Sequence, residues 1–156
     1  MPHHLFWEDV NVGTEVTPLQ KVATTQMLVR FAGASGDFNP AHYEDSFGRA
    51  AGQNRAFVHG QLKRAWLVHL MVNWLGGDPG ALKKLSCRFR AVDWPRLMKT
   101  MYEPQEGETW ACRGKVTKKY EEGGKRLVEC DIWVENGKGE KTTTGTAVAE
   151  LPSRAV

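Results

Sequence analysis

The chain is 156 residues long, 41% hydrophobic, 10% aromatic and 25% charged, a composition that packs a core and excludes a disordered chain. The formal net charge is +3, with Lys and Arg scattered rather than run together, which excludes a dedicated nucleic-acid surface and leaves a mild field for a phosphorylated small ligand. The length suits one domain spanning 1–156, since a single core is typical at roughly 100–200 residues.

From the amino terminus, MPHHLFWEDV has neither a basic nor an apolar targeting region, so a cytoplasmic protein is expected. A short extended segment near Glu15–Lys21 leads to Thr25, which can cap a helix over roughly Gln26–Gly33, where Leu28, Phe31 and Ala32 fall near helical spacing. The pattern breaks at Ser35-Gly36-Asp37-Phe38-Asn39-Pro40. A second short helix over about Glu44–Ala51 ends at Gly52. From Gln61 to Leu75 the chain is apolar almost all round, through Leu62, Ala65, Trp66, Leu67, Leu70, Met71 and Trp74, and it stops at Gly76-Gly77, which reads as a buried helix with a glycine stop. His69 and Asn73 interrupt this stretch, which is far shorter than the roughly 20 residues of a membrane span, so no membrane is expected as a partner.

Beyond it the period changes to two. Cys87, Phe89 and Ala91 alternate with Ser86, Arg88 and Arg90, and Trp110, Cys112 and Val116 with Ala111, Arg113 and Lys115. Val128, Cys130, Ile132 and Val134 alternate with Glu129, Asp131, Trp133 and Glu135, and a last strand runs near Thr142–Leu151. Gly123-Gly124 and Asn136-Gly137 mark turns between consecutive hairpins. Cys87, Cys112 and Cys130 are odd in number and widely spaced, so they fit neither a disulfide framework nor a zinc site and read as packing residues. An apolar helix and a sheet with one apolar face each need a cover, which predicts an α+β architecture: an antiparallel sheet of about five strands wrapped around the long buried helix.

Two segments carry chemistry. Asp37, Asn39 and His42 place a carboxylate, an amide and an imidazole within six residues on a Pro-containing bend, where Asp37 and His42 can converge on one water. The plainer reading is a helix-stopping loop in which Asp37 caps Asn39 or a following amide and His42 is a surface residue. Val58-His59-Gly60 opens the buried helix, where unpaired amides donate to developing negative charge and glycine admits a carbonyl closely. Its plainer reading is a glycine N-cap, with His59 satisfying a backbone carbonyl.

SGDFNPAH at Ser35–His42 followed by HGQL at His59–Leu62 resembles the signature of the MaoC-like, R-specific enoyl-CoA hydratase family. FWEDVNVGTEV, LSCRFRAV and WVENGKGEKTTTGTAVAELP resemble that family's strands, so the likeness covers most of the chain. It implies a hot-dog fold, syn addition of water to a trans-2-enoyl thioester carried on CoA or acyl carrier protein, no cofactor and no metal. It also implies a homodimer or a heterodimer with a related hot-dog subunit. By position, Asp37 and His42 would be the catalytic dyad, Asn39 would help hold the water or the 3-hydroxyl, and Gly60 would supply the oxyanion amide. Ser35, Gly36, Pro40 and His59 would border the substrate, and Arg64, where this chain departs from the family's pattern, is a further candidate for doing so.

Two departures stand out. Lys63 and Arg64 occupy the first turns of the core helix where relatives more often carry small or apolar residues, and Ala65 replaces a small hydroxyl residue found in some. Buried unpaired cations are costly, so these side chains should reach solvent, a carboxylate or the ligand. One of them lining the substrate route and both snorkelling to a subunit boundary are the two expectations. The Met-rich segment Leu97–Pro104 replaces a compact Pro-Gly turn, as a flap or as a packing patch. Lys83, Lys84, Arg88, Arg90 and Arg126 are further candidates for contacting a nucleotide, against the plainer reading of solvated strand faces. Competing functions are a thioesterase on the same fold and a non-catalytic or lipid-binding half of a heterodimer. Retention of both Asp37 and His42 favours the hydratase over either.

Overall fold

A computed structural model describes residues 5–154. Five strands, β1 (Glu15–Lys21), β2 (Leu82–Phe89), β3 (Trp110–Glu122), β4 (Lys125–Glu135) and β5 (Lys141–Glu150), form one sheet in the order β1-β3-β4-β5-β2, every pairing antiparallel. Three α-helices precede β2: α1 (Thr25–Ser35), α2 (Asp45–Ala50) and α3 (Gly60–Trp74). The sheet wraps α3, giving the expected α+β hot-dog architecture. Among the described residues no helix is long and apolar enough to cross a membrane.

The core forms where the two periods meet. Leu62, Trp66, Leu67, Leu70 and Met71 of α3 pack against Cys112 and Val116 of β3, Val128, Cys130, Ile132 and Val134 of β4, and Ala147 and Ala149 of β5, separated within each strand by even steps. Each such large aliphatic side chain contributes about 1.5–3 kcal/mol on burial. The helix is covered on its sheet side only, because Gln61, Arg64, Ala65, Val68 and His69 face outward. The β3–β4 hairpin turns at Gly123-Gly124, with φ of 57° and 75°, the left-handed pair that a two-residue turn matched to strand twist requires.

Element ends differ from the sequence reading by a residue or more. Thr24, rather than Thr25, caps α1, its hydroxyl accepting from Met27 N–H at 3.0 Å, and α1 runs on to Ser35, through residues that read as a break. The last hairpin turns over 136–140, with the positive φ at Gly139 and the Asn136 side chain accepting from Lys138 and Glu140 amides. Phe89 alternates with the outward residues as expected but is 47% exposed, because β2 is an edge strand.

The ends of the described chain lie together. Trp7 N–H donates to Pro152 C=O at 2.8 Å, and Arg154 binds Asp9 at 2.8 Å.

Candidate active site

The loop between α1 and α2 is built by short-range hydrogen bonds that explain its composition. Gly36 closes α1 at φ 76°, a conformation that favours glycine. The Ser35 hydroxyl donates to Phe31 C=O and accepts from Asp37 N–H, at 2.7 and 3.2 Å. Asn39 caps a 3-10 turn over Pro40–His42, its Oδ1 accepting from Ala41 N–H at 3.1 Å, and Pro40 takes the first position, where no amide donor is needed. Ser35, Gly36, Asn39 and Pro40 therefore shape the bend that aims Asp37 and His42.

His42 is buried, and its Nδ1 bonds Phe57 C=O at 2.9 Å, so Nδ1 carries the proton and Nε2 is left as an acceptor. That Nε2 lies 3.9 Å from Asp37 Oδ2. The gap is too long for a direct hydrogen bond and suits one shared water or hydroxyl between them. Asp37 remains accessible, while its Oδ1 accepts from Asn39 N–H at 3.4 Å, so the capping role and the convergence on His42 coexist.

His59 lies behind this pair. It is fully buried, stacked on His42 at 3.8 Å between centroids and 23° between planes, with Phe31 edge-on at 4.9 Å. Its Nε2 bonds the Asp37 carbonyl at 3.2 Å. Burial first, and the neighbouring His42 second, hold the His59 imidazole below its ordinary range. The carbonyl contact anticipated for His59 is thus present, and the ring stands behind Asp37 and His42 rather than open to solvent.

Asp37, His42 and His59 bring three ligand-capable atoms within 4.8 Å of one another. Phe57 C=O takes His42 Nδ1 and the Asp37 carbonyl takes His59 Nε2, which leaves His42 Nε2 and Asp37 Oδ2 as the facing pair for proton handling and His59 Nδ1 buried without a partner among the described residues.

Gly60 is the first residue of α3, and among the described residues no acceptor meets its N–H. A Cβ at Gly60 would stand 2.7 Å from the Phe89 ring, so the half-exposed ring rests on bare backbone there and must shift to admit a side chain. Phe89 is a site neighbour that the sequence reading treated only as a strand residue.

Lys63 and Arg64 part company. Lys63 is 2% exposed, and its ammonium donates to Asp93 Oδ2 at 2.7 Å and to Ala91 C=O at 2.8 Å. Snorkelling is therefore wrong for Lys63: a carboxylate within the core satisfies it, and the long stem need not reach the surface. Arg64 is exposed and lines a groove of about 270 Å³ with Gln61, Leu85, Ser86, Cys87 and Phe89, so it shares a wall with Gly60 through the Phe89 ring.

Of the other cations, Lys83 pairs with Glu150 and Arg126 with Glu121, whereas Arg88 and Arg90 border a 500 Å³ groove beside Trp133 and Lys141. The 97–104 segment doubles back through Lys99 N–H to Glu103 C=O at 2.7 Å, is tethered to α1 by Gln26 donating to Met101 C=O, and presents Met101 and Tyr102 to solvent.

The MaoC like domain family matches residues 9–124. The (R)-hydratase from A. caviae involved in PHA biosynthesis superposes with a TM-score of 0.76 at 25% identity, covering 93% of this chain and 99% of that one. The ChsH1-ChsH2 complex from Mycobacterium tuberculosis matches at a TM-score of 0.71 and 19% identity, over 90% and 98% of the two chains. The peroxisomal enoyl-CoA hydratase 2 of Arabidopsis thaliana is 34% identical over 62 residues, or 39% of this chain. The matched segment spans 20% of the length of that curated relative.

Proposed function

This chain belongs to the MaoC like domain family, and from that membership and the loop geometry we propose that it is an (R)-specific hydro-lyase. It adds water across, or removes it from, the 2,3 double bond of an enoyl thioester carried on CoA or acyl carrier protein. The observation that carries this reading is the 3.9 Å separation of Asp37 Oδ2 and His42 Nε2, with the unengaged Gly60 amide following directly on His59, whose ring stacks on His42.

In the hydration direction a water held between Asp37 and His42 loses a proton to the dyad as its oxygen bonds C3. The alkene electrons move through C2 onto the thioester oxygen, where the Gly60 N–H at the positive end of α3 meets the developing charge. Collapse of that enolate takes the proton back from the dyad at C2, so atoms and charge balance. Dehydration is the reverse. His42 acts through Nε2 because Phe57 C=O holds Nδ1–H, and His59 fixes the loop from behind. Similarity to the A. caviae (R)-hydratase supports the stereochemical assignment.

The test is crotonyl-CoA hydration followed by loss of enoyl absorbance, with free-thiol release measured in parallel and product chirality read by stereospecific dehydrogenases. We expect (R)-3-hydroxybutyryl-CoA without thiol release, and a loss of about 10²- to 10⁴-fold in kcat for Asp37→Asn and His42→Ala. Thiol release without hydration, or full activity in both variants, would remove the proposal.

A further inference from the structure

Building on that functional reading, we propose that Lys63, Asp93 and Trp110 form a buried clamp that holds the Gly60 amide in register with Asp37 and His42, making Lys63 a positioning residue for turnover.

The three side chains are almost entirely removed from solvent, at 2%, 2% and 0% exposure. Lys63 Nζ donates to Asp93 Oδ2 at 2.7 Å, and Trp110 Nε1 donates to Asp93 Oδ1 at 2.9 Å. A buried ion pair is a poor way to add stability, since apolar side chains of similar volume commonly do as well or better. What the pair supplies is direction, because hydrogen bonds to charged groups fix an angle as well as a distance.

That direction is applied to the backbone next to Gly60. Val58 N–H donates to Asp93 C=O at 2.8 Å, Asp93 Oδ2 holds the Lys63 ammonium, and Lys63 N–H donates to His59 C=O at 3.3 Å. These bonds close a ring through Val58, His59, Lys63 and Asp93, and the peptide N–H of Gly60 leaves directly from it. Trp110 ties the ring to β3. The second Lys63 bond, to Ala91 C=O at 2.8 Å, draws in the segment that Ala91 N–H anchors to Thr142 C=O in β5. Phe89, two residues before Ala91, lays its ring against Gly60. The amide is therefore referenced to the sheet from both sides, while His59 references the Asp37 loop to the same turn. A donor displaced by about 1 Å from a developing oxyanion loses on the order of 10²-fold in rate, so a ring that prevents such slip acts on kcat.

The experiment compares wild type with Lys63→Met, the uncharged pair Lys63→Met/Asp93→Asn, and Trp110→Phe, which removes one donor to Asp93. Three readouts are taken: thermal midpoint, kcat and KM for crotonyl-CoA hydration, and the Gly60 cross-peak in the amide NMR spectrum. Lys63→Met strands a buried carboxylate and loses stability, so the uncharged pair carries the test, with Trp110→Phe as the milder perturbation. We expect the pair variant to fold cooperatively, keep KM within about twofold, lose about tenfold or more in kcat, and shift or broaden the Gly60 cross-peak. Recovery of wild-type kcat together with stability would reduce the clamp to a structural role and overturn the inference, as would an unmoved Gly60 cross-peak. If the wild-type chain hydrates no thioester the functional reading fails alone, and the Gly60 cross-peak still decides for or against the clamp.

Discussion

At Gly60 a methyl group would meet the Phe89 ring at 2.7 Å, while the backbone of α3 itself is ordinary there. Gly60→Ala should therefore destabilise through overpacking by about 1–3 kcal/mol, and Phe89→Ala in the same chain should return much of that loss in a denaturant titration. His59 gives a second residue-scale expectation. Its imidazole is held below the ordinary value by burial, so the unfolded state takes up a proton near pH 6.5, by the usual value of about 6.5 for histidine, while the folded state does not. Stability then falls as pH drops through that value, by up to about 1.4 kcal/mol per pH unit, and stops falling once the folded-state group titrates. Unfolding free energies at pH 7.5 and 5.5 should differ more in wild type than in His59→Gln, which keeps a donor toward the Asp37 carbonyl. The approach of Asp37 to His42 was legible in the sequence because both lie on one short bend. Lys63 and Asp93 were not, because their meeting spans 30 residues and Asp93 sits in a segment without periodicity.

At the scale of elements, strands and the long helix could be read from the change of period from 3.6 to 2, which follows from where Cβ atoms point. Boundaries were harder. Thr24 and Thr25 are chemically equivalent caps, and only the hydroxyl contact to Met27 N–H distinguishes them. Thr24→Ala should lower stability by about 1 kcal/mol and Thr25→Ala by less, as thermal unfolding would show. Phe89 misled for a different reason: alternation tells which face a residue takes but not whether its strand lies at an edge. The thiols follow position in the sheet. Cys112 and Cys130, on the covered faces of β3 and β4, have their thiols pushed by burial up to about 12, and Cys87 on edge strand β2 is raised as well. A thiol-specific reagent at neutral pH should leave Cys112 and Cys130 unmodified in the native protein and label them on unfolding, with Cys87 reacting first.

For the whole molecule, the contacts between its two ends set how it comes apart. The turn at Trp7–Asp9 hangs from Pro152 and Arg154, and Val10 just after it is fully buried, with its carbonyl receiving the Lys119 ammonium at 2.6 Å. A cut after Leu151 would therefore not stay local. It would free the opening turn, expose Val10 and let water into the hydrophobic interior there, so loss of the Pro152–Arg154 contacts should speed proteolysis within the Trp7–Val10 segment.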